Sequence, residues 1–206
     1  MKRKAALAIV TMLCMGMLTA CTESKDAKPV IYLYPEEETQ VEVKLDYEGE
    51  LTTTYPAYEN GWEVLAQPDG TLTDTKTGRE YYCLFWEGIS ENDYDLSKGF
   101  VVKGEETQDF LEDSLAKLGL TEREANEFII YWLPQMEGNA YNLISFQGES
   151  YTDKATLDIT PAPDSVIRVF MAWKGLDAAV EVEPQSLEAI ERTGFTVVEW
   201  GGCEVQ

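Results

Sequence analysis

Histidine is absent from all 206 residues of this chain. Its absence excludes Ser-His-Asp and Cys-His nucleophilic catalysis, zinc sites built on imidazole ligands, and a histidine pH switch. The sequence therefore favours a protein without enzymatic activity, and a hydrolase that uses carboxylates on glycans is the enzymatic alternative.

Basic residues are scarce as well. The chain has 16 Lys and Arg against 38 Asp and Glu, which gives a formal net charge of −22. Such a charge opposes binding to nucleic acid and opposes docking of the folded body onto anionic lipid headgroups. It leaves cations and basic molecules as electrostatically acceptable partners.

The first 21 residues have three zones. Residues 2–4 are basic, and residues 5–18 form an uncharged stretch of 14 residues, which is too short to span about 30 Å of hydrocarbon as a helix. Leu18-Thr19-Ala20-Cys21 then resembles the lipobox of bacterial lipoproteins. The sequence predicts a signal peptide over residues 1–20 and lipidation of Cys21, and hence attachment to the extracytoplasmic face of a bacterial membrane.

Processing at this point would leave 186 residues, enough for one domain or two small ones. It would remove three basic residues and no acidic ones, so the net charge would change from −22 to −25. Residues 21–28 are mostly polar and are predicted to be a short tether that keeps the folded body close to the bilayer.

Residues 29–100 carry the signals of a β-rich unit. Val41, Val43, Leu45 and Tyr47 alternate with charged residues, which is the period of a half-buried strand. Residues 79–86 are apolar on both faces and predict a central strand that is covered on both sides. Further strands are expected at 30–34, 51–55 and 62–66. This half is predicted to be an antiparallel, β-sandwich-like unit.

Residues 101–206 have mixed character. Thr107 is expected to cap a helix that ends at Gly119, and Thr121 with Glu124 forms a capping-box pattern for a second helix. The remaining elements are expected to be a strand at 128–133, before a proline, strands at 141–147, 166–173 and 195–200, and a short helix at 186–192. The whole chain is therefore predicted to be α+β and mainly antiparallel β, with 101–206 as a mixed unit that is possibly continuous with 29–100.

Three sequence motifs point to a family. Lys28-Pro-Val-Ile-Tyr-Leu-Tyr-Pro35, Leu84-Phe-Trp-Glu-Gly88 and Val198-Glu-Trp-Gly-Gly202 resemble an uncharacterised family of bacterial secreted proteins and lipoproteins. The resemblance covers nearly the whole chain after the signal peptide. It implies no activity and no catalytic residue.

Cys83 and Cys203 are the two thiols that remain once residues 1–20 are removed and Cys21 is lipidated. In an exported protein they are compatible with one disulfide. They are equally compatible with two separate buried thiols, because the sequence does not give the distance between them.

Glu87 and Glu199 are the candidates for a catalytic carboxylate pair, since each lies next to a tryptophan that could carry a sugar ring. The alternative is that both are glutamates at strand ends beside core tryptophans. Trp62, Trp86 and Trp200 are, in the same way, candidate ligand-binding residues or core residues.

Asp93, Asp95 and Ser97 place oxygen atoms at alternating positions and are candidate calcium ligands. Lys98 and Gly104 do not match the EF-hand loop, so a polar loop is the alternative. No other cofactor is expected. The sequence thus predicts a lipid-anchored binding or structural module of the cell envelope, which engages a glycan or another protein, with a calcium-stabilised structural protein as a further alternative.

Overall fold

The computed structural model describes residues 24–188 and 190–205. The predicted signal peptide and Cys21 lie outside these residues. Within them, no helix has both the length and the apolar character needed to cross a membrane. The strands are β1 (Ser24–Tyr34), β2 (Thr39–Tyr47), β3 (Glu50–Tyr55), β4 (Trp62–Ala66), β5 (Leu72–Asp74), β6 (Glu80–Tyr81), β7 (Leu84–Ser90), β8 (Lys98–Lys103), β9 (Tyr141–Gln147), β10 (Ala155–Thr160), β11 (Ser165–Leu176), β12 (Glu183–Pro184) and β13 (Thr196–Glu204), and the helices are α1 (Thr107–Lys117), α2 (Glu122–Met136) and α3 (Glu149–Thr152).

The strands form two sheets, which makes the protein a β-rich α+β structure. The larger sheet has eight strands in the order β12-β8-β9-β11-β13-β1-β7-β3, and the smaller has five in the order β10-β2-β4-β5-β6. Most neighbours are antiparallel, whereas β11 and β13 are parallel, as are β12 and β8. The expected units 29–100 and 101–206 contribute strands to both sheets, since β1 pairs with β13 and β2 with β10.

The alternation of side chains along β1 divides the core into two clusters. Ile31 and Leu33 pack with residues of the smaller sheet, such as Val41, and these belong to the cluster shared by the two sheets. Val30 and Tyr32 lie on the other face, in the cluster formed with α1 and α2. Burial of each large apolar side chain contributes about 1.5–3 kcal/mol. β1 is buried on both faces because the helices cover one face and the second sheet covers the other.

The capping box at the start of α2 is confirmed. The Glu124 backbone N–H donates to the Thr121 hydroxyl, and the Thr121 N–H donates to the Glu124 carboxylate at 2.8 Å. The strand expected over residues 128–133 is wrong, because α2 continues to Met136 through Pro134. Phe128, Trp132 and Met136 recur at four-residue intervals, and burial of this helical stripe outweighs the local β propensity.

The expected cap at Thr107 is also wrong. A 3-10 turn at Gly104–Glu106 precedes α1, so Thr107 is the first helical residue. Its hydroxyl donates to the Lys103 carbonyl at 3.1 Å and accepts a hydrogen bond from the Asn142 amide at 3.0 Å. The threonine therefore ties the helix to β9 instead of capping it.

The helix expected over residues 186–192 does not form in the described parts, 186–188 and 190–192. The segment is held in place by the neighbouring Gln185, whose side-chain amide pairs with both backbone groups of Phe146. The Gln185 side chain thus accepts from the Phe146 N–H and donates to its C=O, as the backbone of a paired strand would. These two hydrogen bonds keep the chain extended beside β9.

The predicted tether over residues 21–28 needs correction in its second half. β1 begins at Ser24, and Ser24 to Asp26 pair with Ser90 to Gly88 of β7. Asp26 and Ala27 are buried. The polar composition predicts a flexible segment, but pairing with β7 and the burial of Asp26 make residues 24–28 part of the folded body.

Candidate functional site

The two carboxylates proposed as a catalytic pair lie on opposite faces of the eight-stranded sheet. Glu199 is on the face turned to the smaller sheet and is fully buried. Glu87 is on the helix-bearing face, where its carboxylate accepts from the Lys28 backbone N–H and pairs with Lys25 at 3.2 Å. A pair that flanks one glycosidic bond must share a cleft. The predicted catalytic pair is therefore wrong.

Glu199 takes part in a buried ion pair. Its carboxylate accepts from the Arg168 Nε at 2.7 Å and from the Trp86 indole N–H at 3.2 Å. The Arg168 guanidinium also lies 4.9 Å from the centre of the Tyr151 ring. These contacts join three strands of the larger sheet, so Glu199 has a structural role.

The tryptophans proposed as sugar platforms are core residues. Trp62, Trp86 and Trp200 are at most 2% exposed. The Trp62 indole N–H donates to the Pro56 carbonyl at 2.9 Å, and Trp200 packs edge-on against Phe128 at 5.3 Å between ring centres. None of the three can contact a ligand, so this prediction is wrong and the core alternative is correct.

The segment proposed to bind calcium forms a hydrogen-bonded turn. The Ser97 backbone N–H and hydroxyl both donate to the Asp95 carboxylate, at 2.8 and 2.9 Å. Among residues 24–188 and 190–205 there is no group of three or more acidic or cysteine side chains arranged to hold a metal ion. Calcium binding by Asp93, Asp95 and Ser97 remains a prediction from the sequence.

The disulfide considered from the sequence is not formed. Cys83 and Cys203 are free, and they belong to different hydrophobic clusters on the two faces of the larger sheet. Burial raises the pKa of the Cys83 thiol to about 11 and that of Cys203 to about 12. Both thiols are therefore protonated at neutral pH and are poor nucleophiles.

Asp26 is a buried carboxylate that the sequence did not single out. It accepts hydrogen bonds from the hydroxyls of Tyr94 at 2.6 Å and Tyr47 at 2.7 Å. Burial raises the pKa of this carboxyl, and the nearby Glu199 carboxylate raises it further, against the opposing effect of the two hydrogen bonds. Asp26 thereby ties the start of β1 to β2 and to the segment before β8.

An open groove forms where the predicted strand 79–86 is interrupted. Glu80 and Tyr81 belong to β6 of the smaller sheet, whereas Leu84 begins β7 of the larger one, so the chain crosses between the sheets at Tyr82 and Cys83. The expected central strand is thus two strands, and β7 lies next to the sheet edge. The crossing leaves part of the helix-bearing face uncovered.

We call this cavity the Lys28 groove. Its volume is about 440 Å³, within the range of sites for small ligands and peptide side chains. It is lined by Lys28, Val30, Tyr55, Glu80, Tyr81, Tyr82, Cys83 and Phe85. Tyr55 and Tyr82 are 54% and 53% exposed, so their ring faces are available to a ligand.

Lys28 has an unusual backbone conformation, with φ of 62°. It lies at an irregularity in β1, between the segment that pairs at Asp26 and the segment that begins at Val30. Its ammonium group lies 5.2 Å from the centre of the Phe85 ring and 5.8 Å from that of Tyr131 on α2. Cation–π attraction of this kind holds the lysine in the floor of the groove.

The groove combines apolar ring surface with a few polar groups, which is the composition of a binding site. Tyr55 and Tyr81 meet edge to face, with ring centres 5.3 Å apart. Glu80 at the rim can bind polar or basic groups of a ligand, whereas the Lys28 ammonium is engaged by the rings of Phe85 and Tyr131. The rings and the aliphatic part of Lys28 can bury apolar surface.

The residues of this groove do not stand out in the sequence. The apolar pattern of residues 79–86 predicts one strand that is covered on both faces, so the exposure of Tyr82 is unexpected. Tyr55 stands out only as a strand residue. No local pattern in residues 79–86 marks the point where the chain changes sheets, because the crossing depends on pairings between distant residues.

Comparison with known proteins gives one informative relative. No protein-family model matches the chain, and no solved structure gives a significant match. An "Uncharacterized protein in bglA 3'region" from Butyrivibrio fibrisolvens is 41% identical over 97 residues, which cover 99% of that protein and 43% of this chain. This chain belongs to the same family as that protein. The relative's name states no activity, so it assigns none to the groove.

Proposed function

We propose that this protein is a lipid-anchored module of the bacterial envelope that binds an envelope component in the Lys28 groove and catalyses no reaction. The observation that carries the proposal is the open aromatic groove, with Tyr55 and Tyr82 about half exposed on its walls. The two facing sheets are inferred to act as a rigid, β-sandwich-like framework, which the hydrophobic cluster they share supports.

The proposed anchor is Cys21, and the support for it is the lipobox pattern that ends at this residue. Two residues separate Cys21 from Ser24, where β1 begins. Three residue steps reach at most about 11 Å. The folded body would therefore lie directly at the bilayer, on the extracytoplasmic side, with the start of β1 nearest to the lipid.

The proposal of binding without catalysis has two supports. The chain has no histidine, and the two carboxylates that the sequence suggested as a pair lie on opposite faces of a sheet. The groove itself holds carboxylate, ammonium, phenol and thiol groups, and burial raises the pKa of the Cys83 thiol to about 11, which leaves it a poor nucleophile at neutral pH.

Mass spectrometry of the protein isolated from its native membrane tests the anchor. We expect a diacylglyceryl group on Cys21 at a new amino terminus, and release of the protein from the membrane fraction when Cys21→Ser is introduced. An unmodified chain that still begins at Met1 contradicts this part of the proposal.

Binding of the fluorescently labelled full chain to isolated envelope fragments tests the groove. The variant Tyr55→Ala/Tyr82→Ala removes both exposed rings, and we expect it to lower the affinity at least tenfold. Val180→Ala is the matched control, since Val180 is 48% exposed and is not among the groove residues. Equal binding by wild type and the double variant contradicts the proposed role of the groove.

A further inference from the structure

β3 is an open sheet edge beside the groove. It is the last strand of the eight-stranded sheet and, among the described strands, pairs only with β7. Thr52 and Thr53 are exposed. The backbone N–H and C=O groups on the outer side of β3 therefore have no strand partner in the described part of the chain, and such groups readily pair with a further strand.

The other edges of the two sheets are protected. β12 has only two residues and includes Pro184, which has no N–H to donate. β6 is also two residues long. β10 has six residues, but it carries the exposed charge of Asp158 in its middle. β3 has six residues, and after Glu50 it has neither a charged residue nor a proline.

One part of β3 is regular enough to receive a partner. The register of β3 with β7 is irregular between Leu51 and Thr53, and such an irregularity weakens strand addition there. From Thr53 to Tyr55 the pairing is continuous. Three consecutive residues of open, regular edge therefore lie at the groove end of the strand.

The edge and the groove form one continuous surface. Tyr55 lies directly opposite Phe85 in the β3–β7 pair, so both side chains lie on the helix-bearing face. Both also line the groove. A strand added beyond β3 would place one of its residues opposite Tyr55, with the side chain about 5 Å away on the same face.

The charges around this surface favour a neutral or basic occupant. Glu50 at the start of β3 and Glu80 at the groove rim are exposed. The Lys28 ammonium is already engaged by the rings of Phe85 and Tyr131. The net charge of the whole chain is −22, which disfavours an acidic ligand.

We propose that the occupant of the Lys28 groove is an extended polypeptide segment of neutral or basic character. Its backbone pairs with Thr53–Tyr55 as a ninth strand, and one aromatic or aliphatic side chain packs against Tyr55 in the groove. This inference rests on the proposed binding function and names the class of ligand. Backbone pairing supplies affinity for many sequences, and the groove selects the side chain.

A displayed library of linear decapeptides, panned on the full chain, supplies the probe. We expect enrichment on wild type and on Val180→Ala, but not on Tyr55→Ala/Tyr82→Ala. One selected peptide is then synthesised in two forms, N-methylated at its even or at its odd positions. A strand uses the N–H groups of alternate residues at one edge, so one form is expected to bind about tenfold more weakly and the other nearly as well as the parent.

Hydrogen exchange of the protein locates the peptide. We expect slower exchange of those amides within Thr53–Tyr55 that face away from β7 when the peptide is bound. Selected peptides that bind without protecting these amides, or that tolerate both N-methylation patterns, overturn the inference. Chitotetraose, a neutral oligosaccharide, distinguishes glycan binding in the groove from peptide binding. If it protects the groove while no peptide is selected, the groove binds glycan and this inference fails. If neither a selected peptide nor chitotetraose binds in the groove, the proposed binding function fails as well.

Discussion

Arg168 and Glu199 lie directly opposite each other in the parallel β11–β13 pair and form an ion pair of 2.7 Å. Their side chains are 10% and 1% exposed. Both charges are thus removed from water between the two sheets. Each buried charge is neutralised by the other, so a substitution that removes only one of them leaves an unpaired charge in the protein interior.

Replacement of Arg168 by Met is therefore expected to lower the free energy of unfolding by about 3–5 kcal/mol, because it leaves the Glu199 carboxylate buried without its partner. The double variant Arg168→Met/Glu199→Leu should recover much of this loss. Urea denaturation measures both. The exposed pair of Lys76 and Glu59 is the control, and its disruption should leave the midpoint of urea denaturation nearly unchanged. A similar small effect at Arg168 would contradict the structural role of the buried pair.

Asp26 should give the protein a characteristic dependence on pH. Its folded-state pKa is raised above 3.8, so its contribution to stability is greatest below that pH and is lost as pH rises through the folded value. The stability of wild type relative to Asp26→Asn should therefore increase as the pH is lowered from 7 to 4. Thermal or urea unfolding across this range measures the difference.

Asp95 is a control for this experiment, because its carboxyl pKa is shifted in the opposite direction from that of Asp26. Hydrogen bonds from Ser97 lower the pKa of its carboxyl, so its contribution is present above pH 3.8 and is lost as the pH falls. The stability of wild type relative to Asp95→Asn should therefore change little between pH 7 and 4 and decrease on acidification below pH 3.8, so its measurement is extended below that pH. If the stability of wild type relative to each variant changed with pH in the same direction for Asp26→Asn and Asp95→Asn, the two carboxyl pKa values would not be shifted in opposite directions.

Much of the strand content of the chain could be predicted from its sequence because many strands alternate in polarity or are continuously apolar, but β8 and β10 were not predicted. The alternating residues from Val41 to Tyr47 form β2, and the run from Tyr141 to Gln147 is β9 to the residue. The capping box at Thr121 also follows from local chemistry, since its partners are three residues apart. Local patterns of this kind do not depend on the rest of the fold.

The groove could not be predicted from the sequence, because it forms through strand pairings between residues that are distant along the chain. The pattern of residues 79–86 does not reveal that the chain leaves one sheet at Tyr81 and enters another at Leu84. Nor does it reveal that β3 is an edge, which depends on the order of eight strands. The candidate tryptophans Trp62, Trp86 and Trp200 are buried. The exposed rings that line the groove are those of Tyr55 and Tyr82.

Lys28 should tolerate glycine better than alanine. Both substitutions remove the ammonium from Phe85 and Tyr131, but only glycine adopts a φ of 62° without a steric penalty. We expect Lys28→Gly to be more stable than Lys28→Ala by about 1 kcal/mol in urea denaturation. Equal stability of the two variants would mean that position 28 is not held in the left-handed region.

Cys83 and Cys203 should behave as protected, reduced thiols. At pH 8, alkylation by iodoacetamide in the folded protein should be about a hundredfold slower than in urea at Cys83 and about a thousandfold slower at Cys203, because raised pKa values leave little thiolate. Peptide mapping distinguishes the two sites. A melting temperature that falls when reductant is added would instead indicate a disulfide and would contradict the separation of the two residues.

Site-specific photo-crosslinking in living cells tests the central claim most directly. A benzophenone amino acid is placed at Tyr55, at Tyr82 or, as the control, at Val180, all of which are about half exposed. We predict light-dependent adducts with an envelope component from positions 55 and 82 and none from position 180. Adducts of equal yield at all three positions, or none at 55 and 82, would contradict the assignment of the Lys28 groove as the binding site.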